Sequence, residues 1–404
     1  MTQKPPANVE QQRGVNRIVS VIIGILVVIG GLIATFTGGG PSQPPVTDMP
    51  TSTPPVFVTL PPGEGVQPIN FPLGFGAQQG FWRVYFTAPS GSRDPSTYVG
   101  GLDAQLAADI NLLSRSLDIA AFEFNSPILT QAVIAAHQRG VRIRMVTDNE
   151  HGLLDRDSTI PELLAAGITV VDDKRTALMH NKFMILDSSV VWTGSWNFTI
   201  NDTYRNNNNA LALRSQKAVQ NYQAEFNEMF EQGRFGPRSP ANTPFTHFRQ
   251  NNIPIQVYYS PEDKLLADLI AELSAAQRSI RFMNFSFTDY DVALAILQRA
   301  QAGVFVQGIW ETTGSETDAS ELRTLFCAGL DVRQDGNPFI LHHKVFIIDD
   351  TSIITGSFNI STNATESNDE NLLIIGDPFL AAQYRAEFDR RWAEARRPTT
   401  LTCQ

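Results

Sequence analysis

The sequence predicts an α/β protein in which two similar lobes form a pseudo-dimer, preceded by one transmembrane helix and a Pro-rich stalk. Three observations carry this expectation. Residues 18–36 are almost continuously apolar, and no charged residue occurs between Arg17 and Asp48. From about residue 79, β-branched runs alternate with amphipathic helical stretches, and the whole alternation occurs twice. A spaced set of His, Lys, Asp, Gly, Ser and Asn also occurs twice, at one fixed offset.

The elements follow in chain order. Residues 1–17 carry Lys4, Arg13 and Arg17 against Glu10, and the positive-inside tendency assigns them to the cytoplasm. The apolar run 18–36, at 1.5 Å per residue, is about 29 Å long and matches a bilayer core. A secretory signal has a shorter apolar region and a small-residue cleavage site. An uncleaved single-pass anchor in the cell membrane is therefore expected, with the body extracytoplasmic; secretion after cleavage is the alternative. Residues 37–78 read as a stalk, because a segment rich in Pro, Gly, Thr and Ser buries no core and stays extended.

Residues 79–235 form the expected first lobe. Val84–Phe86 reads as a strand, followed by a helix near Leu102–Ser116, a strand near Ile119–Phe124, a helix near Ile128–Arg139 and a strand at Val141–Val146. A connector by composition, 236–250, leads to the second lobe, 251–396, where the order recurs from Val257–Tyr259 onward. Gly140 and Gly303 sit where the second helix of each lobe should end. Long helices near Lys217–Glu231 and Pro378–Ala395 close the lobes, and 397–404 is a tail. Cys327 and Cys403 fit a disulfide tying down that tail in an oxidising compartment.

The formal net charge is −10, and the basic N-terminus makes the remainder more acidic still. Such a body argues against broad, charge-driven binding to nucleic acid.

Both copies of the motif read H-x-K-x4-D-x6-G-S-x-N. His180, Lys182, Asp187, Gly194, Ser195 and Asn197 map onto His342, Lys344, Asp349, Gly356, Ser357 and Asn359, each pair 162 residues apart. Six fixed positions arise by chance at about 10⁻⁸ per starting point. His and Lys two residues apart share one face of a strand, and the residue between them, Asn181 or His343, points away. The carboxylates Asp187 and Asp349 fall where the strands turn. Each lobe thus offers an imidazole, an ammonium and a carboxamide. Two such sets supply donors for a phosphate diester, a nucleophile and a general acid. Cofactor and metal are both expected to be none, since two lysines already bring positive charge.

At these residues the chain resembles the phospholipase D superfamily, whose signature is this double HKD motif. The resemblance covers about residues 79–396 and implies two α/β/α sandwich lobes with the site between them and metal-independent phosphodiester cleavage through a phosphohistidine; the internal pseudo-dimer is expected to function as a monomer. It implies phosphate binding by Lys182, Lys344, Asn197 and Asn359. The 162-residue offset pairs Asn208 with Glu370; by the resemblance Glu370 contacts His180 and Asn208 contacts His342. A carboxylate stabilises an imidazolium and an amide does not, so His180 is assigned as nucleophile and His342 as general acid. The substrate expected is a phospholipid headgroup diester, because a tether keeps the body beside a membrane. A surface endonuclease is the alternative, since YRNNNNAL and SNDENLLI resemble the small bacterial nuclease-like members. An inactive binding module is a further reading, against which both motifs are complete.

Overall fold

The protein is described by a computed structural model that covers residues 65–403. The expected span 18–36 and most of the stalk lie outside the described residues. Among the described residues no helix is long and apolar enough to cross a membrane.

The first sheet is built from β1 (Gln67–Phe71), β2 (Gly74–Gln79), β3 (Trp82–Thr87), β4 (Ser116–Ala121), β5 (Arg142–Thr147), β6 (Thr169–Asp172), β7 (Lys182–Leu186), β8 (Val190–Gly194) and β9 (Asn209–Leu213). Its order is β1-β2-β3-β9-β8-β7-β4-β5-β6. The second contains β10 (His247–Gln250), β11 (Ile253–Ser260), β12 (Ser279–Asn284), β13 (Phe305–Trp310), β14 (Asp331–Gln334), β15 (Lys344–Ile348), β16 (Ser352–Gly356) and β17 (Glu370–Ile375). Its order is β10-β11-β17-β16-β15-β12-β13-β14. From β3 and from β11 onward the two orders are the same. β4 and β5 run parallel, as do β12 and β13, and the crossover helices Pro127–Gln138 and Tyr290–Gln301 connect them.

Two expectations change at the margins. Residues 67–78, read as the end of the stalk, form the β1–β2 hairpin together with Gln79. Pro68, which has no N–H to donate, is accommodated because β1 lies at the sheet edge. The connector 236–250 likewise ends in β10, an edge strand antiparallel to β11.

Strand alternation decides the layers. Leu117, Ile119 and Ala121 of β4 face an outer core under the helices Leu102–Asn111 and Pro127–Gln138. Ile280 and Phe282 of β12 do the same beneath Leu265–Ala275 and Tyr290–Gln301. The opposite sheet faces share one core with the long helices Gln216–Gln232 and Pro378–Glu394, which contribute Tyr222, Phe226, Tyr384 and Phe388. Each buried aromatic contributes roughly 1.5–3 kcal/mol, so the central layer binds the lobes into one body. Cys327 and Cys403 are joined, with their Cα atoms 5.4 Å apart.

Candidate active site

The residues leading into β7 and β15 cross to the opposite lobe. The His180 N–H donates to Asp369 O at 3.0 Å, and the His342 N–H donates to Asn207 O at 2.9 Å. Carboxylates just beyond β5 and β13 hold the preceding residues. Met179 N–H donates to Asp148 at 3.1 Å, and Leu341 N–H to Glu311 at 2.6 Å.

This crossing sets the side chains. Glu370, one residue after Asp369, places Oε2 2.8 Å from His180 Nδ1. Asn208, one residue after Asn207, places Oδ1 3.0 Å from His342 Nδ1. Ser357 Oγ donates to Glu370 Oε2 at 2.6 Å, and Ser195 Oγ donates to Asn208 Oδ1 at 2.8 Å. The motif serine of one lobe therefore fixes the group that orients the other lobe's histidine. With Nδ1 engaged, Nε2 of each ring is left for chemistry.

The lysines are anchored alike. Lys182 Nζ donates to His180 O at 2.7 Å, and Lys344 Nζ to His342 O at 2.9 Å. Each ammonium lies over an aromatic ring, Phe122 at 4.8 Å and Phe285 at 4.9 Å, and these rings also meet His180 and His342 edge-on.

The two histidines and two lysines of the motif act on one another. Burial, then Lys182, Lys344 and His342, hold the His180 imidazole well below its ordinary range. Burial and Lys344 pull His342 down to about 4, although Asp202 opposes this. Burial lowers Lys182 to about 8, and burial together with Lys182 lowers Lys344 strongly. Burial pushes Glu370 up to about 7, with Lys182 and Ser357 opposing. His180, Lys182, Asn197, His342 and Lys344 are buried and Asn359 is half-buried, and the Oδ1 atoms of Asn197 and Asn359 have no hydrogen-bond partner among the described residues. A buried amide so left is available to a ligand or water.

Glycine is required at Gly194 and Gly356. Their φ angles are 143° and 148°, and a Cβ would lie 2.5 Å from Asn209 O or 2.2 Å from Asn371 O.

Asp187 and Asp349 are not brought to this site. Each begins a hairpin turn at the far end of its strand, about 20 Å from its histidine at strand rise. Asp187 and Ser188 have φ of 48° and 52°, Asp349 and Asp350 have 55° and 54°, and Asx residues suit such turns. Asp187 accepts the N–H groups of Ser114, Arg115 and Ser116 at 2.8–3.1 Å. Asp349 accepts those of Gln277, Arg278 and Ser279. Their catalytic assignment is corrected to a backbone-holding one.

A second correction concerns His342. Asp202 Oδ2 lies 3.3 Å from its Nδ1, so this ring also has a carboxylate neighbour. Asp202 corresponds to Ala364 under the 162-residue offset, so repetition gave no signal for it. Asp148, Glu311, Phe122 and Phe285 were also missed, because they follow the ends of other strands. Matching the lobes strand by strand, rather than at the motif alone, would have found them.

The family model described as "Cardiolipin synthase, PLD-like domain" matches residues 106–230 and again 269–392, more than half of the chain. The chain belongs to the phospholipase D superfamily. Among relatives, the mitochondrial cardiolipin hydrolase of Xenopus tropicalis is 39% identical over 118 residues, which is 29% of this chain and 56% of that protein. The chain thus spans about half the length of the cardiolipin hydrolases it matches. Phospholipase D of Rickettsia typhi is 30% identical over 147 residues, 35% of this chain and 72% of that one. The phosphatidylserine synthase structure from Haemophilus influenzae is similar in fold, with TM-score 0.58 and 14% identity over 73% of this chain and 84% of that one.

Proposed function

We propose that this phospholipase D superfamily member hydrolyses a phospholipid headgroup diester through a phosphohistidine, as a monomer tethered to a membrane by residues 18–36. The observation that carries the reading is the crossed pair of imidazoles, each held at Nδ1 by the opposite lobe, with two buried lysines beside them. Similarity to cardiolipin hydrolases and a phospholipase D supports a lipid diester, with cardiolipin the first to test.

In the first step His180 Nε2 attacks phosphorus, and the bond to the headgroup oxygen breaks. His342 Nε2–H gives its proton to that leaving oxygen. In the second step water attacks the phosphohistidine, His342 takes the water proton, and the N–P bond breaks. Lys182, Lys344, Asn197 and Asn359 donate to the non-bridging oxygens, whose charge grows in both transition states. An anionic diester offsets the repulsion between the buried lysines, which raises the proton affinity of His342 for its role as acid.

The full-length chain in detergent is offered cardiolipin vesicles, phosphatidylcholine vesicles and single-stranded DNA. Headgroup release that disappears in His180→Ala supports the reading. Faster cleavage of DNA than of either lipid sinks the substrate assignment, and no cleavage of any of them sinks the enzymatic one.

A further inference from the structure

The long central helices carry matching buried glutamates, Glu225 and Glu387, 162 residues apart. Each touches the residue between the motif His and Lys. Asn181 Nδ2 donates to Glu225 Oε1 at 3.0 Å, and His343 Nε2 lies 3.3 Å from Glu387 Oε1. Around Glu387 the charge is met by Arg390 at 3.4 Å and Arg391 at 3.3 Å. The same offset puts Glu228 and Met229 where those arginines stand. Glu262, from the loop after β11, adds a third acid. One oxygen from each of Glu225, Glu228 and Glu262 lies within 4.8 Å of the others. Glu228 accepts from a neutral amide, Asn242 Nδ2, at 3.2 Å. Glu228 Oε1 and Glu262 Oε2 are buried without a hydrogen-bond partner among the described residues. Arg234 acts on Glu228, but only from the exposed end of the helix.

A separate observation points to the same place. Tyr259 pairs with Asn371 as Phe86 pairs with Asn209, so it is the second lobe's counterpart of Phe86 with a hydroxyl added. Tyr259 is 1% exposed, and its hydroxyl has no hydrogen-bond partner among the described residues. The carboxylates of Glu225 and Glu262 act on that hydroxyl electrostatically. An uncompensated buried charge is strongly destabilising, and one lobe meets this with two arginines where the other has Glu228 and Met229 at the matching positions.

We propose that Glu225, Glu228 and Glu262, with the Tyr259 hydroxyl, bind one divalent cation that braces the two lobes. The donors are all oxygen, which suits Ca²⁺, Mg²⁺ or Mn²⁺ rather than a thiolate- or imidazole-preferring metal. Two carboxylates come from the first lobe's helix and one from the second lobe's loop, so the ion spans the joint. Through Glu225 it also steadies Asn181, between His180 and Lys182. Its part is structural, and it takes no step in the phosphodiester reaction.

The full-length chain is stripped with EDTA, exchanged into metal-free buffer and melted with CaCl₂, MgCl₂ or MnCl₂ separately. Bound metal is counted by mass spectrometry after desalting. One of the three should bind at about one ion per chain and raise the Tm by roughly 5 °C at a hundredfold excess over its Kd. Glu228→Arg copies the second lobe and should abolish both effects while melting no lower than the stripped wild type. If Glu228→Arg fails to fold, Glu228→Gln should still bind at least about tenfold more weakly, as a lost charged ligand requires. Wild-type protein that melts cooperatively yet binds none of the three overturns the site. So does a Tm that rises on mild acidification but not with metal, since the acids then share protons. A metal effect that persists in both variants places the ion elsewhere and also overturns it.

Discussion

The two histidine environments share a backbone and differ at two side chains. Behind His180 stands Glu370, a carboxylate directly on Nδ1. Behind His342 stands Asn208, with Asp202 3.3 Å away on the same nitrogen. Where the first lobe has Asp202 the second has Ala364. Both rings therefore see one carboxylate, but the two acids are held differently. Burial pushes Glu370 up to about 7. Burial also opposes ionisation of Asp202, but His342, Asn206 and the Asn197 N–H outweigh it and hold the acid far below its usual range. One acid changes charge near neutrality and the other stays ionised. The asymmetry of the site thus lies in the protonation of the supporting acids, not in the presence of a charge on one side only.

The sharpest way to break this comparison is to delete each ring. His180→Ala should lower turnover by at least about 10⁴-fold, because in the proposed mechanism His342 serves as the acid and does not replace the lost nucleophile. His342→Ala should be nearly as slow on a lipid. With a p-nitrophenyl leaving group it should still form a phosphohistidine at position 180, detectable by rapid quench and peptide mapping. Phosphate trapped on His342 in His180→Ala would reverse the two roles.

A smaller effect separates the supporting acids. Asp202→Asn removes the charge that favours protonated His342, and should slow headgroup release about 10–100-fold. The same change should leave a p-nitrophenyl diester within about threefold of wild type, since that leaving group needs little acid help. Equal losses on both substrates would assign Asp202 to structure alone.

The pH profile tests Glu370. Below about 7 this carboxyl takes up a proton and no longer accepts from His180 Nδ1–H. The ring proton then favours Nε2, which blocks attack, so kcat/KM should fall about tenfold per pH unit on the acid side. Above about 8 Lys182 loses its charge, and phosphate binding weakens. The optimum is expected between these values. Glu370→Gln should be slower throughout and lack the acid limb. A profile unchanged in Glu370→Gln would remove this acid from the mechanism.

Much of this was legible because repetition amplifies pattern. The alternation of Ile119 with Leu117, or Phe282 with Ile280, exposes the sheets, and the offset of 162 pairs Glu370 with Asn208 without any coordinates. The same device hid what is not repeated. Asp202 faces an alanine in the other copy, and Glu228 faces Arg390. The β1–β2 hairpin was hidden for another reason. Its proline and glycines read as stalk, and only pairing with β3 makes Pro68 an edge residue. Phe122 and Phe285 reach the lysines through the order of strands in the sheet, which a linear pattern does not encode.

The smallest expected effect on activity comes from the most recognisable residue of the motif. Asp187 binds three backbone N–H groups at the turn remote from the histidines. Partial burial opposes its ionisation, yet those donors hold the carboxyl below its ordinary range. Asp187→Ala leaves the donors to water, because the segment is only part-buried, and the cost should be about 1–2 kcal/mol. Thermal melting should fall by a few degrees, with Asp349→Ala behaving alike. Well below the melting temperature, kcat/KM should stay within about twofold of wild type, because β7 still places His180 and Lys182. Asp187→Asn keeps an acceptor at the turn and should recover part of the lost stability. A hundredfold loss of kcat in a cooperatively folded Asp187→Ala would return the aspartate to the chemistry and erase the distinction between the two ends of the strand.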